Sequence, residues 1–286
     1  DAKGSENNGT IDFPLTYTDT GNTANDGWNL LGNPWITTID WDNFTKNNVN
    51  NVVYVWDSAS GAYKSWNGTT GDLTDGLISS FQGFFVQANA ASPSLSAEKS
   101  VQTKNDEPSL QAEKLNVESI ENVQLAKTNE KYPILKFQLQ KDERKENTYI
   151  MFSESASAGI DPYDAYQLAP LSKDYISVFT CLQNGTKLDI NNLPIPHNQE
   201  KVNIALDILS TDEGLYTLSW PELENIPANW TLSLSDHETN QIIDILETES
   251  YMFHYSKKKS EGQKIDKPRF TLQIQTGVSR TNFEHV

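Results

Sequence analysis

At 286 residues, with a formal net charge of -17 and a pI near 4.6, the chain is long enough for one large or two ordinary domains and too acidic to seek phosphate. Hydrophobic residues make up 36%, against the ~45–50% (a figure that also counts Gly) usual for a globular domain, while aromatics reach 10%, a balance that fits thin β-sheets joined by polar turns. No apolar run approaches the ~18 residues of a membrane helix and no basic stripe is present, so neither a membrane span nor a nucleic-acid partner is expected.

The first informative segment is the loop Asp19–Gly27. Asp19, Asn22, Asn25 and Asp26 place four oxygen-bearing side chains in a short stretch, which Ca²⁺ chemistry and Asx-turn chemistry explain equally in kind. Gly27-Trp28-Asn29-Leu30-Leu31-Gly32-Asn33-Pro34-Trp35 follows, a Gly-Asn-Pro turn flanked by large apolar groups. Val52-Val53-Tyr54-Val55-Trp56, the turn Asp57–Gly61 and Ala62-Tyr63-Lys64-Ser65-Trp66 read as a hairpin. Phe81–Ala88 is a further strand, in which Gly83 marks a bulge or a close backbone approach. From Ser92 to about Glu130 aromatics vanish and Ser, Glu, Lys, Gln and Asn dominate, with a hinge placed near Thr103–Pro108.

Strand rhythm returns at Tyr132. Ile134–Leu139 alternates with period two, and Thr148–Phe152, Ile176–Leu182, Lys201–Leu206, Tyr216–Trp220, Trp230–Leu234, Gln241–Ile245, Ser250–His254 and Arg269–Ile274 follow. Such spacing predicts an all-β fold of two antiparallel β-sandwich or jelly-roll-like modules in tandem, with minimal helix. The boundaries are 1–104 and 105–276, with 277–286 as a linker. The only helical candidate is Asp161–Leu168. The basic run Lys257-Lys258-Lys259, with Lys264, Lys267 and Arg269, reads as a solvated hairpin end. Cys181, the single cysteine, excludes an intrachain disulfide and reads as a small buried hydrophobe.

The ordered blocks Gly27–Trp35, Ile39-Asp40-Trp41, Val53–Asp57 and Phe81-Gln82-Gly83-Phe84-Phe85-Val86 resemble the β-rich modules near the C-termini of Bacteroidetes proteins exported by type IX secretion. Gly159–Tyr166, Gly214–Leu218, Leu232–Asp236, Tyr251–Phe253 and Arg269–Leu272 are similar, more loosely, to the β-sandwich that follows in such proteins. The resemblance implies an extracellular or cell-surface location, a longer precursor, and a terminal linker leading to a sorting domain. It implies as partners the neighbouring domains of that precursor, surface proteins or the secretion machinery, and it implies no reaction. Asp57-Ser58-Ala59 is similar to the short O-glycosylation acceptor of that group, which makes Ser58 a candidate. Five Asn-x-Ser/Thr sequons (Asn8, Asn43, Asn67, Asn184, Asn229) matter only in a eukaryotic pathway.

Catalytic signatures are missing from the sequence. No Gly-x-Ser-x-Gly, His-Glu-x-x-His or phosphate loop occurs, and His197, His237, His254 and His285 are scattered. Asp40/Asp42 and Glu222/Glu224 are the carboxylate pairs that period two places on one strand face. The reading is therefore a non-catalytic structural or interaction segment needing no cofactor. The rival is a glycan-binding module, because five of the seven Trp lie between Trp28 and Trp66, with Trp41, Trp56, Tyr63 and Trp66 as the stacking candidates.

Overall fold

A computed structural model describes residues 7–102, 131–257 and 267–277. The protein is all-β. The first module comprises β1 (Ile11–Phe13), β2 (Trp28–Gly32), β3 (Ile39–Asp40), β4 (Thr45–Asn47), β5 (Val49–Asp57), β6 (Ala62–Trp66), β7 (Leu77–Ile78), β8 (Gly83–Ala88) and β9 (Ser94–Ala97). They assemble as antiparallel sheets in the orders β2-β8-β5-β6, β1-β9-β4 and β3-β7. Between these sheets pack Trp35, Ile39, Trp41, Phe44, Val53, Trp66, Phe84 and Val86.

Two backbone features set this module. Asn33, 4% exposed, receives the Trp35 N–H on Oδ1 and gives Nδ2 to the carbonyls of Thr37, Ile78 and Ser79, so the Gly-Asn-Pro turn ties down the approach to β8. Gly27 has φ +69, and a Cβ there would lie 1.9 Å from the Ala88 carbonyl oxygen. That oxygen cannot yield without disturbing the Ala88 N–H bond to the Gly27 carbonyl at 2.8 Å. Gly27→Ala is expected to cost about 3 kcal/mol. Gly83→Ala, where the nearest atom is 3.7 Å away, is expected to be near neutral. Urea unfolding of both variants checks this, and matching midpoints would count against the steric account. Gly83 itself sits in regular pairing with Gly32, so the bulge expected there lies instead on β5, between Val49 and Val53.

The second module comprises β10 (Ile134–Lys141), β11 (Arg144–Ser153), β12 (Ala165–Tyr166), β13 (Ile176–Cys181), β14 (Lys187–Pro194), β15 (Lys201–Ser210), β16 (Gly214–Glu224), β17 (Thr231–Asp236), β18 (Gln241–Asp244), β19 (Ser250–Tyr255) and β20 (Phe270–Gln275). One sheet runs β18-β17-β20-β15-β13-β14-β11-β10-β16-β19, with β12 paired to β14 beside the path. All pairs are antiparallel except β11 with β14. The sheet curls until its ends meet: the Tyr251 hydroxyl of β19 donates to Asp236 of β17, and Phe253 packs on Phe270 at 5.2 Å. β17 and β20 bury alternate residues, so Leu232, Leu234, Phe270, Leu272 and Ile274 fill the interior of the curl.

Three local expectations change. Asp161–Leu168 is not helical: Asp161 Oδ1 accepts the Tyr163 N–H in an Asx turn across Pro162, and Ala165–Tyr166 joins β14 as a strand. Arg269 is not part of a solvated run but is 2% exposed, paired with Asp236. Cys181 is half-buried, and burial pushes its thiol up to about 11. The hinge at Thr103–Pro108, Lys258, Lys259, Lys264 and most of the linker 277–286 lie outside the described residues. No described sheet mixes strands from before Gln102 with strands from after Ile134.

Candidate functional site

The structure gathers its unusual side chains at a seam where the two sheet systems press together. β5 shows why. Val53 and Val55 point into the first module's core, while Val52 and Tyr54 point the other way and are also buried. β11 behaves alike: Ile150 and Phe152 enter the second core, while Tyr149 and Met151 face outward into the seam. A strand covered on both faces reads as an unbroken apolar run, which Val52–Val55 and Tyr149–Phe152 are. Trp28, Tyr63 and Phe85 complete one side of the patch, and Ile134, Ala165, Ile190 and Leu168 the other.

Polar contacts frame this apolar centre. Buried Tyr54 accepts the Tyr166 N–H on its hydroxyl at 2.8 Å. The Pro162 carbonyl accepts the Asn51 N–H at 2.8 Å, and the Tyr163 carbonyl accepts from Asn67 Nδ2 at 3.0 Å. At one edge Asp72 accepts from Asn147 Nδ2 (2.9 and 3.0 Å) and from the Tyr149 hydroxyl (2.6 Å). Beside it the Ser65 hydroxyl donates to Asp189.

That edge concentrates carboxyl groups. Burial pushes Asp189 up to about 8, helped by the nearby Asp72 charge. Burial pushes Glu146 up to about 9, with Asp189 and Asp72 adding to it and Lys64 opposing. Burial likewise raises Tyr149, which also faces Asp72. At neutral pH the seam therefore holds Asp189 and Glu146 as neutral acids, which keeps like charges from facing one another across the contact.

The residues singled out in the sequence are dispersed. Trp41 is 0% exposed and gives its indole N–H to the Asn51 carbonyl, and Trp66 is 7% exposed and gives its own to Asp42. Neither presents a face to a sugar. Trp56 and Tyr63 are half-buried edge to face on each other at 5.0 Å, with Tyr63 also against Phe85. A flat aromatic platform is thus not formed by these four: Trp41 and Trp66 fill the module core, Tyr63 packs against the seam, and Trp56 stands edge to face on Tyr63. In the Asp19–Gly27 loop, Asp19 Oδ1 accepts the Gly21 N–H, Asn22 Oδ1 the Ala24 N–H, and Asp26 Oδ1 the Thr20 N–H and hydroxyl. These oxygens serve the loop's own turns, and Asn25 gives its N–H to the Asn22 carbonyl. No group of three His, Cys, Asp or Glu able to hold a metal occurs among the described residues.

Asp40 and Asp42 do not share a strand face. Trp41–Asn43 is a 3₁₀ turn capped by Asp40, which accepts the Asp42 N–H. Glu222 pairs with Lys136 at 2.8 Å and Glu224 is exposed. His237 meets the Thr271 hydroxyl at 2.8 Å, His197 and His254 lie on other elements, and His285 is outside the described residues. Ser58 is exposed in the β5–β6 turn, and Asn67 is fully buried, which removes it as a glycan acceptor.

These features define a class: an all-β protein whose two strand systems share one buried seam. The chain belongs to the family described as a domain of unknown function, DUF8693, which matches residues 2–273 and so spans both strand systems. No curated protein and no solved structure matches the chain. No helix among the described residues is long and apolar enough to cross a membrane.

Proposed function

We propose that this chain is a non-catalytic structural segment of an exported, surface-attached bacterial protein, holding neighbouring parts of its precursor at a fixed distance and orientation. The observation that carries the reading is the seam. Two sheet systems joined by a continuous apolar patch and by hydrogen bonds across it are expected to move as one stiff body. Stiffness is what a spacer needs and what flexible tandem modules lack. The export half of the reading is supported by the resemblance of Gly27–Trp35, Val53–Asp57 and Phe81–Val86 to type IX cargo modules, and Ser58 is the residue proposed to carry an O-glycan.

One set of measurements tests both halves. Spin labels at Leu30→Cys and Met252→Cys, both exposed positions on different modules, are placed in a Cys181→Ser background. They are expected to give one narrow distance distribution, and a broad one would remove the spacer role. Antibodies to the chain are expected to label intact cells of the source organism or its medium. Staining confined to the cell interior would remove the export role.

A further inference from the structure

The sequence contains three Asn-Gly steps, Asn8-Gly9, Asn67-Gly68 and Asn184-Gly185, and the fold gives each a different setting. With no Cβ beside it, a glycine nitrogen is open to attack the side-chain carbon of the preceding asparagine, which closes a succinimide ring. Asn67 is fully buried: its Oδ1 accepts the Thr69 and Thr70 N–H groups, and its Nδ2 binds the Tyr163 carbonyl. Asn184 is exposed, but a tight turn holds both reacting groups. Its Oδ1 accepts the Thr186 N–H at 3.0 Å, and the Gly185 N–H donates to the Leu182 carbonyl at 2.9 Å.

Asn8-Gly9 has neither restraint. Both residues are exposed, and a Cβ at Gly9 would meet no atom within 4 Å. Among the described residues the Gly9 N–H has no hydrogen-bond partner. Asn8 Oδ1 accepts from the Lys99 ammonium at 3.0 Å. That contact sets a positive charge on the oxygen that turns anionic when Cγ is attacked. Lys99 opens the 3₁₀ turn that follows β9, and the pairing of Ile11 with Ala97 brings that turn beside Asn8.

We propose that Asn8 is a self-modifying position, deamidated through attack by the Gly9 nitrogen with Lys99 stabilising the intermediate. The Gly9 nitrogen gives its proton to water and bonds to Asn8 Cγ. The Cγ–Nδ2 bond then breaks, and Nδ2 takes that proton back and leaves as ammonia. One water molecule opens the ring at either carbonyl, giving Asp or isoaspartate without oxidation or reduction. An Asp carboxylate keeps Lys99 as its partner. Isoaspartate instead adds one carbon to the main chain between residues 8 and 9. Ile11 is pinned on Ala97, so the added length falls on Asn7. Asn7 gives Nδ2 to the Pro34 carbonyl at 2.8 Å, and its own carbonyl receives the Trp35 indole N–H at 3.3 Å. The strap over the Gly-Asn-Pro turn therefore loosens as isoaspartate accumulates. The inference stands apart from the spacer reading.

Peptide mapping by mass spectrometry, over weeks in mildly alkaline buffer, tests it on the folded full chain. Asn8 is expected to convert at least about tenfold faster than Asn184 or Asn67. In urea, where neither turn nor burial discriminates, the three rates are expected to converge. Lys99→Met is expected to slow Asn8 severalfold in the folded chain and to leave its rate in urea unchanged. The Trp35 indole N–H resonance is expected to shift in step with isoaspartate. No conversion at Asn8, a rate at Asn184 or Asn67 that matches it in the folded chain, an unaltered Asn8 rate in Lys99→Met, or a Trp35 resonance that stays put overturns the proposal. Should Lys99→Met fail to fold, the ratio of the Asn8 and Asn184 rates in the unaltered chain decides.

Discussion

Raising the pH from about 5 to about 8.5 is expected to lower the unfolding temperature of this chain by roughly 5 °C, and Asp189→Asn is expected to remove much of that slope. The cause is the acidic edge of the seam. Asp189 and Glu146 have folded values pushed up to about 8 and about 9, well above those of carboxyls in an unfolded chain. The folded protein therefore binds more protons than the unfolded one between about pH 4 and those values. Their contribution is fully present at low pH and is lost as pH rises through the folded values. Asp189 meets Ser65 on β6, Asp72 beyond it and Glu146 on β11, and Glu146 in turn feels Lys64 on β6 and Asp57 at the end of β5. Lys64 is the one cation among them and is held by Asp57 at 2.9 Å, so it does not neutralise a newly ionised Asp189. Asn at position 189 still accepts from Ser65 but cannot ionise. A thermal melt series across that pH range is the measurement, and an unchanged slope in Asp189→Asn would assign the dependence elsewhere.

The strands were readable because each short run states its own period. Ile134–Leu139 alternates, and β10 buries Leu135, Phe137 and Leu139 on one side. The all-β class followed from repeating that signal along the chain. The seam was half-visible: Val52–Val55 and Tyr149–Phe152 break the alternation, which means cover on both faces, but a one-dimensional pattern does not say which strand supplies the cover. Lys187-Leu188-Asp189-Ile190 gave no signal that drew it into the strand reading. The role of Asp189 depends on Ser65, which is 124 positions away in sequence.

Other misreadings share a cause. Period two was applied to Asp40-Trp41-Asp42 where Asp40 starts a 3₁₀ turn, and helical spacing to Asp161–Leu168 where Pro162 and an Asx turn intervene. In both, a short acidic side chain bonded its local backbone and overrode the pattern. The tryptophans were informative about the amount of apolar surface and silent about its direction. An aromatic-rich strand looks the same whether its rings stack on a ligand or on a neighbouring sheet. Trp41 packs on Phe44 at 5.1 Å, an inward arrangement that residues three apart cannot advertise.

Arg269→Met alone is expected to destabilise the second strand system by about 4 kcal/mol, because it leaves a buried carboxylate without its partner. Asp236 and Arg269 have side chains 0% and 2% exposed. The guanidinium gives Nη2 and Nε to the two oxygens of Asp236, at 2.8 and 3.2 Å, and Nη1 to the His254 carbonyl at 2.9 Å. It also lies 4.2 Å over the Phe253 ring. One side chain thus links β17, β19 and the start of β20, where the curled sheet closes on itself. Burial works against the charged form of Asp236, but Arg269, the Glu238 N–H and the Tyr251 hydroxyl outweigh it and hold the carboxyl below its ordinary value. This sign is opposite to that of Asp189: the contribution is present above the unfolded value and is lost as pH falls through the folded one. The closure of the curl therefore weakens in acid while the seam weakens in base, and stability should peak in mildly acidic solution. Replacing both partners, Asp236→Leu with Arg269→Met, removes the orphaned charge and is expected to cost less than Arg269→Met alone. Urea unfolding of the two variants at about pH 6 compares them. A double variant at least as unstable as the single one would show that the fork to His254 and Phe253, rather than the buried charge, holds the sheet closed.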